Sequence, residues 1–309
     1  MLSLARSIRF VHGGNIINVA KLTLTSRKMS SGGLEAAGYS FETLKVTKPR
    51  EYVLQVELNR PEKRNAMNAA FWREMVECFN KVSTDPDCRS VVVSGAGKLF
   101  TAGIDLQEIA SLMPMESDVG RKSMKLKGAI ARYQDTFTCM EKCPKPVIVA
   151  VHNACVGGGI DLITACDIRY CSQDAWFQVK EVDVGLAADV GTLQRLPKVV
   201  GNDSLARELA YTARKMMADE AMRCGLVSRI LPDRESTIEA AIETAALIAS
   251  KSPIAVQGSK VSIVYSRDHS VQEGLEHIAC WNSAMLQSED VMTAAMAAVE
   301  KKPAEFSKL

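Results

Sequence analysis

Two glycine-bearing loops, each directly after a short run of buried-strand character, constrain the fold of this chain more than any other feature. The first loop spans residues 95–103 and follows the run Ser-Val-Val-Val-Ser at 90–94. The second contains Gly157, Gly158 and Gly159, follows an apolar run at 146–151, and leads into helical sequence at 160–166. Apolar runs of this length between glycine loops are typical of buried strands.

The rest of the chain divides into a mixed part and a helical part. Residues 52–58 alternate apolar and polar side chains, as strands do, and Asn68 is a candidate cap for a helix that runs to about residue 82. A helix over 119–142 and a strand over 168–171 continue this alternation, which favours an α/β fold. After residue 202 six helices are predicted, at 204–212, 218–224, 236–250, 254–265, 271–286 and 290–301. We therefore expect an α/β core over 50–202 and a helical C-terminal subdomain over 203–309.

The two ends of the chain resemble targeting signals. Residues 1–34 contain five Lys or Arg and no acid, interleaved with apolar residues, Ser and Thr. This composition is typical of a mitochondrial transit peptide. The chain ends in Ser307, Lys308 and Leu309, a signal read by the peroxisomal import receptor. One chain with both signals suggests two organelles that share a metabolism, and fatty-acid oxidation is such a metabolism.

Composition argues against several classes of protein. Five of the 38 basic residues lie in the leader, against 36 acidic residues in all, so the remaining chain is slightly negative and has no sign of nucleic-acid binding. No apolar run reaches the roughly 18–20 residues of a membrane span. The nine cysteines lie in apolar or helical context without the spacing of a zinc site, which favours reduced thiols and no metal.

The glycine loops are candidates for an oxyanion hole. Glycine lets backbone N–H groups approach a ligand closely, and the start of a helix favours negative charge. Two N–H groups that converge on one oxygen stabilise the anion of acyl chemistry. The alternative is that these glycines only permit tight turns and close packing.

Four acids stand in an otherwise apolar stretch, namely Asp161, Glu181, Asp183 and Asp189. A carboxyl group buried without a cation has a raised pKa, which suits general acid–base catalysis. Structural alternatives exist for three of them: Asp161 could cap a helix, Asp183 could be solvated, and Glu181 could pair with Lys180. Asp189, among Ala, Val and Gly, has the weakest alternative. His152 is interpreted as a structural hydrogen-bonding residue.

Taken together, the motifs resemble the crotonase (enoyl-CoA hydratase/isomerase) superfamily over roughly residues 50–300. The motifs are Asn59-Arg60-Pro61, Asn65-Ala66-Met67-Asn68, Phe100 to Asp105, the Gly157–159 helix start, and Pro197. The resemblance implies a spiral of ββα turns, a helical C-terminal part that mediates trimerisation, and a trimer or hexamer as the assembly. It also implies oxyanion-hole N–H groups on Ile104 and Gly158. CoA is expected along Ala102, Gly103, Ile104, Asp105 and Leu106, with residues 60–66 near its nucleotide.

The chain departs from the pattern of typical hydratases in the family. Those carry two glutamates at the positions of Asp161 and Glu181, whereas here the first is Asp and a further acid stands at Asp189. The departure fits isomerisation of a 3,5-dienoyl thioester to the 2,4-diene, with Glu181 and Asp189 as proton carriers between C2 and C6 and Asp161 as a supporting acid. CoA is part of such a substrate, so no separate cofactor is expected. The alternatives are a hydratase or a Δ3,Δ2 isomerase, an RNA-binding relative, and a CoA-binding scaffold without turnover.

Overall fold

The structure, a computed structural model, describes residues 34–107 and 116–309. The predicted leader lies outside these residues except for Leu34, which begins the first strand. The strands are β1 (Leu34–Glu35), β2 (Leu44–Arg50), β3 (Val53–Leu58), β4 (Ser90–Gly95), β5 (Val147–Val151), β6 (Ala154–Val156), β7 (Ile168–Ser172), β8 (Trp176–Gln178), β9 (Met216–Met217) and β10 (Arg229–Leu231). The helices are α1 (Ala69–Thr84), α2 (Val119–Lys142), α3 (Gly158–Ala165), α4 (Thr192–Val200), α5 (Asp203–Thr212), α6 (Ala218–Arg223), α7 (Arg234–Ala249), α8 (Pro253–Ser266), α9 (Val271–Met285) and α10 (Glu289–Glu300).

Seven strands form the main sheet, in the order β1-β2-β3-β4-β5-β7-β10. The first three strands pair antiparallel, and every pair from β3 to β10 is parallel. A smaller sheet contains β6, β8 and β9. The expected α/β fold is confirmed.

The chain winds as successive ββα turns. In the third turn β5 lies in the main sheet, β6 in the small sheet, and α3 follows; β7, β8 and α4 repeat this order after a short 3-10 helix. In the first two turns the second strand is reduced to single bridges, at Met67 before α1 and at Thr101 before α2. The bridges continue the small sheet, because Met67 pairs with Ile104 and Thr101 pairs with Cys155. The small sheet therefore collects the segment that precedes each helix.

The central strands are buried on both faces, which explains their unbroken apolar runs. Val91 and Val93 of β4 face the large core under α1, α2 and α3, whereas Val92 between them faces a second core against α7. Both β10 and α7 belong to this layered unit although they follow residue 202. The main sheet therefore continues beyond residue 202, where the sequence becomes mostly helical.

The last three helices differ from the rest of the fold. Helix α8 packs against α9, and α10 has no buried residue. Large apolar side chains are exposed along them, namely Ile263, Val271, Leu275, Leu286, Val291, Met292, Met296 and Val299. A groove of about 640 Å³ runs between the three helices and contains none of the predicted site residues.

Candidate active site

The two glycine loops pack directly against each other. Thr101 N donates to Ala154 O at 3.0 Å, and Val156 N donates back to Thr101 O at 3.2 Å. Gly103 then approaches so closely that a Cβ on it would lie 2.8 Å from Val156 O and 3.6 Å from the Gly157 Cα. Its φ of +85° is also in the region that glycine adopts most readily. The first loop needs glycine here in order to lie against the start of α3.

The backbone of Ile104 is held in place by its pairing with Met67. Met67 N donates to Gly103 O and Asp105 N donates to Met67 O, at 2.8 and 3.0 Å. In such a parallel bridge the N–H of the middle residue points away from its partner. Gly158 is the first residue of α3, where N–H groups have no intrahelical acceptor. Among the hydrogen bonds of residues 34–107 and 116–309, none uses the N–H of Ile104 or Gly158.

Asn65 holds the first loop in place, a role that the sequence motif alone did not reveal. Its Nδ2 lies within hydrogen-bond distance of Ala96 O, Leu99 O and Phe100 O, at 2.8, 3.1 and 3.0 Å. Its own φ is +51° and its carbonyl oxygen accepts from Thr101 Oγ1. One buried amide thus ties the 59–68 motif to the loop over 96–101.

The other residues of the first loop have distinct surroundings. Asp105 forms an ion pair with Arg60 at 3.5 Å, and both side chains are mostly buried. Ala102 N donates to Arg64 O at 3.0 Å, whereas Leu106 is 63% exposed. Arg60 is therefore engaged in bracing the loop, since its guanidinium also donates to Ala66 O.

Asp161 is fully buried in the first turn of α3 and caps a different helix. Its Oδ1 accepts from Thr192 N, the first residue of α4, whose N-cap Gly191 has no side chain to do so. Its Oδ2 is buried without a hydrogen-bond partner among the described residues. Burial raises the pKa of Asp161 to about 6, although the hydrogen bonds from Thr192 and the charge of Arg195 lower it.

Glu181 begins the short 3-10 helix over Glu181–Val184 and reaches back to α3. A Cβ on Gly157 would lie 3.4 Å from Glu181 Oε1, so the carboxyl group is beside the start of α3. The other oxygen, Oε2, is buried and unpartnered within the described part of the chain. Burial, followed by the charge of Asp161, raises the pKa of Glu181 to about 7, and Asp189 contributes to the same shift. The two carboxyl groups are therefore close enough for the charge of Asp161 to act on the titration of Glu181.

Asp189 lies on the turn before α4 and is exposed in the single chain. It therefore lies nearer to solvent than Glu181, which is half-buried, and Asp161, which is fully buried. Its carboxyl group is nonetheless enclosed enough for burial to raise its pKa. Gln134 of α2 donates to Asp189 O at 2.8 Å and fixes the backbone there. The structure thus brings three carboxyl groups to one end of α3 and α4, with Asp189 on the solvent side.

The model of the family described as Enoyl-CoA hydratase/isomerase matches residues 49–308. This chain belongs to that family. It is 61% identical over 297 residues to the human protein named Delta(3,5)-Delta(2,4)-dienoyl-CoA isomerase, mitochondrial, a match that covers 94% of this chain and 90% of that one. The protein of the same name from Arabidopsis thaliana, designated peroxisomal, is 43% identical over 87% of this chain and 99% of its own length.

The fold of this family member is likewise shared with solved structures. The crystal structure of enoyl-CoA hydratase from Bacillus anthracis matches with a TM-score of 0.78 and 30% sequence identity, and covers 86% of this chain and 99% of its own. The predicted crotonase-type ββα spiral is confirmed.

Two of the structural alternatives for single residues are settled by their contacts. Lys180 forms an ion pair with Asp183 at 2.5 Å and not with Glu181. Asp183 is exposed and is not one of the three carboxyl groups near the start of α3 and α4. His152 Nε2 lies 3.1 Å from Gly97 O, which confirms its hydrogen-bonding interpretation.

The remaining structural expectations concern metal, thiols and membrane spans. No cluster of three or more His, Cys, Asp or Glu in the described ranges could hold a metal ion. All nine cysteines are free, and six of them are buried. Within the same ranges no helix has the length and apolar character to cross a bilayer.

Proposed function

We propose that this chain is a Δ3,5-Δ2,4-dienoyl-CoA isomerase of fatty-acid oxidation. The observation that carries the proposal is the set of three carboxyl groups, all with raised pKa, beside two loops whose N–H groups at Ile104 and Gly158 have no acceptor in the described part of the chain. A hydratase needs acids at Asp161 and Glu181 only. The names of the human and Arabidopsis relatives support the choice of the dienoyl reaction.

The reaction moves one proton along a conjugated chain. Loss of a proton from C2 of the 3,5-dienoyl thioester gives a dienolate, whose negative charge spreads over the thioester oxygen, C4 and C6. The N–H groups of Ile104 and Gly158 stabilise the oxygen end of this anion; a single donor of this kind contributes about 3–4 kcal/mol. Protonation at C6 then leaves double bonds at C2 and C4, conjugated with the carbonyl group.

We propose roles for the two proton carriers from their position along the site. Glu181 is beside the start of α3, where Gly158 offers its N–H group. Carbon C2 is bonded to the thioester carbon whose oxygen is held there, so Glu181 is the base for C2. Its pKa of about 7 suits a base at neutral pH. Asp189, on the following turn, delivers a proton to C6, and burial raises the pKa of its carboxyl group. Glu181 then holds the C2 proton, and exchange through solvent returns a proton to Asp189 before the next turnover. Asp161 is a supporting acid, whose charge raises the pKa of Glu181.

A spectral assay tests the function. Purified protein with 3,5-octadienoyl-CoA is expected to produce the longer-wavelength absorption of the 2,4-diene, and Asp189→Asn is expected to lower kcat by about 10²–10⁴-fold, the usual contribution of a positioned acid or base. Fast hydration of crotonyl-CoA with no action on the dienoyl substrate would instead support the hydratase alternative.

We propose further that the assembly is a homo-oligomer, a trimer or hexamer, formed through the C-terminal helices. The support is the row of exposed apolar side chains on α8, α9 and α10, because soluble single chains rarely expose a continuous apolar surface of this kind.

The proposed locations are the mitochondrial matrix and the peroxisome. The name of the human relative includes the word mitochondrial, and that of the Arabidopsis relative the word peroxisomal. In the structure Arg89 Nη2 donates to Phe306 O at 2.7 Å, Lys308 pairs with Asp87 at 2.5 Å, and Leu309 is 58% exposed. Deletion of Ser307, Lys308 and Leu309 should abolish peroxisomal import of a labelled chain and leave mitochondrial import intact; unchanged peroxisomal import would contradict the role of this signal.

A further inference from the structure

A nearly buried arginine stands beside the carboxyl groups without being one of the predicted site residues. Arg195 lies in the first turn of α4, and 11% of its side chain is exposed. An arginine is almost never buried unless it is paired, so its position needs an explanation.

The turn of residues 189–192 is shaped around this side chain. Gly191 has a φ of +138°, and a Cβ on it would lie 3.2 Å from Arg195 Cζ, with Nη1 closer than any allowed contact. The same Cβ would lie 3.9 Å from Asp161 Oδ1. The guanidinium of Arg195 and the carboxyl group of Asp161 therefore flank one glycine, which connects the turn of Asp189 to the start of α4.

Helix α2 holds the arginine and the turn from the other side. Arg195 Nη2 donates to Glu141 Oε2 at 3.1 Å and to Thr138 Oγ1 at 3.0 Å. Gln134, one helical turn before Thr138 on the same helix, donates to Asp189 O. Glu141 also pairs with Arg267, just beyond α8. The arginine is thus fixed by two neighbours, and its remaining Nη1 faces Gly191.

We propose that Arg195 is a positioning residue of the isomerase reaction: held by Glu141, it fixes the turn that carries Asp189 and places one compensated positive charge beside Asp161. This inference rests on the proposed function for its kinetic consequence. The coupling between Arg195, Glu141 and Asp161 can be measured without substrate.

The charges around Asp161 determine the direction in which each substitution should shift its pKa. The titratable or charged groups that the described residues place around it are Cys155 on β6, Glu181 on the 3-10 helix and Arg195 on α4. Asp189, on the turn before α4, acts on Glu181. Glu141 of α2 lies on the far side of Arg195, and its pKa is lowered because the hydrogen bonds and charges of Arg195 and Arg267 outweigh its burial. Arg195 is thus the cation that acts on Asp161, and Glu141 compensates that cation.

Removing the charge of Arg195 and removing the charge of Glu141 should therefore shift the pKa of Asp161 in opposite directions. Arg195→Met removes the cation, so the pKa of Asp161 should rise. Glu141→Gln leaves the cation uncompensated, so that pKa should fall. Arg195→Lys keeps the charge without the paired hydrogen bonds and should restore most of the wild-type value. Arg207→Met is a matched control, because Arg207 also pairs with a carboxylate, Asp203, on an exposed helix surface.

The experiment is an infrared titration of the protonated carboxyl band that Asp161→Asn lacks, together with the pH profile of kcat on 3,5-octadienoyl-CoA. We expect shifts of about one pH unit, a tenfold change in the protonation equilibrium, upward in Arg195→Met and downward in Glu141→Gln. We expect kcat to fall about tenfold or more in Arg195→Met, with partial rescue in Arg195→Lys and no change in Arg207→Met.

The outcomes separate the inference from the proposed function. Shifts of the same sign, or no shift, in folded Arg195→Met and Glu141→Gln would overturn the positioning role. If Arg195→Met does not fold, an unshifted carboxyl band in Glu141→Gln would overturn it as well. Opposite shifts in a protein that does not isomerise the dienoyl substrate would leave the coupling established and reject the reaction.

Discussion

The start of α3 and α4 and the three C-terminal helices depart from ordinary burial in opposite ways. At the first, one oxygen of Asp161 and one of Glu181 are buried without a hydrogen-bond partner among residues 34–107 and 116–309, and two backbone N–H groups have no acceptor there. At the second, apolar side chains on α8 to α10 are exposed. Each region lacks a partner of the matching kind. Under the proposed function the first binds a polar thioester head with its conjugated chain, and under the proposed assembly the second packs against another copy of the chain.

The largest expected effect concerns the base. Glu181→Gln should lower kcat for the dienoyl substrate by about 10²–10⁴-fold, because the amide cannot accept the C2 proton. Asp183→Asn is the matched control two residues along the same 3-10 helix, since Asp183 is exposed and pairs with Lys180. Stopped-flow or steady-state assays of both variants check this. A Glu181→Gln enzyme with a tenth of wild-type kcat would remove Glu181 from the chemistry.

The oxyanion hole is tested at Gly103. Gly103→Ala places a Cβ against Val156 O and should displace Ile104 from α3, with a loss of about 10²–10³-fold in kcat. Gly225→Ala is the control, because Gly225 has a similar φ of +80° with nothing within 4 Å of an added Cβ. Equal loss of activity in the two variants would show that backbone strain, not the loop's place beside α3, is responsible.

The buried carboxyl groups should reduce stability as pH rises. The folded pKa of Asp161, about 6, exceeds its ordinary value of 3.8, so the carboxyl group destabilises the fold progressively from about pH 4 to 6 and fully above that. At pH 8 Asp161→Asn should therefore be more stable by about 2–3 kcal/mol, with no gain near pH 4. Thermal unfolding across pH measures the difference.

Glu74 provides the control of opposite sign. Hydrogen bonds from Thr43 and Glu42 overcome burial and lower its pKa, so its contribution is present at neutral pH and is lost in acid. Glu74→Gln should destabilise at pH 8 and less at low pH. A gain in stability for Glu74→Gln, or none for Asp161→Asn, would contradict the electrostatic assignment.

The smallest expected effect belongs to the C-terminal helices. Leu275→Asp on α9 should weaken subunit association by at least tenfold, or about 1.4 kcal/mol, while the helical content is kept. Light scattering at several concentrations, with the exposed neighbour change Glu276→Gln as control, measures it. An unchanged assembly in Leu275→Asp would place the subunit contacts elsewhere.

The sequence predicted the elements well where a periodic pattern is long. Helix α2 was expected over 119–142 and is found at Val119–Lys142, and Asn68 caps α1 through Phe71 N as expected. Helix α4 was not predicted, because its N-cap is Gly191, which has no capping side chain, and because it contains Pro197. Strands β6, β8 and β9, of two or three residues, are too short to show alternation.

The candidate site was predictable in its residue types and not in its contacts. The acids and glycine loops were visible as unusual residues in apolar sequence. The cap from Asp161 to Thr192 spans 31 residues, and Arg195 gave no local signal, since an arginine in an amphipathic helix is usually solvated. The exposure of Asp189 also depends on tertiary packing, which local sequence does not specify.

The assignment of Glu181 to C2 and Asp189 to C6 can be tested most directly by hydrogen exchange in D₂O with 3,5-octadienoyl-CoA. Asp189→Asn should exchange the C2 hydrogen for deuterium without forming the 2,4-diene, because Glu181 remains and is partly accessible to solvent. Glu181→Gln should neither exchange C2 nor isomerise. Exchange at C2 by Glu181→Gln, with none by Asp189→Asn, would contradict the proposed order of proton transfer.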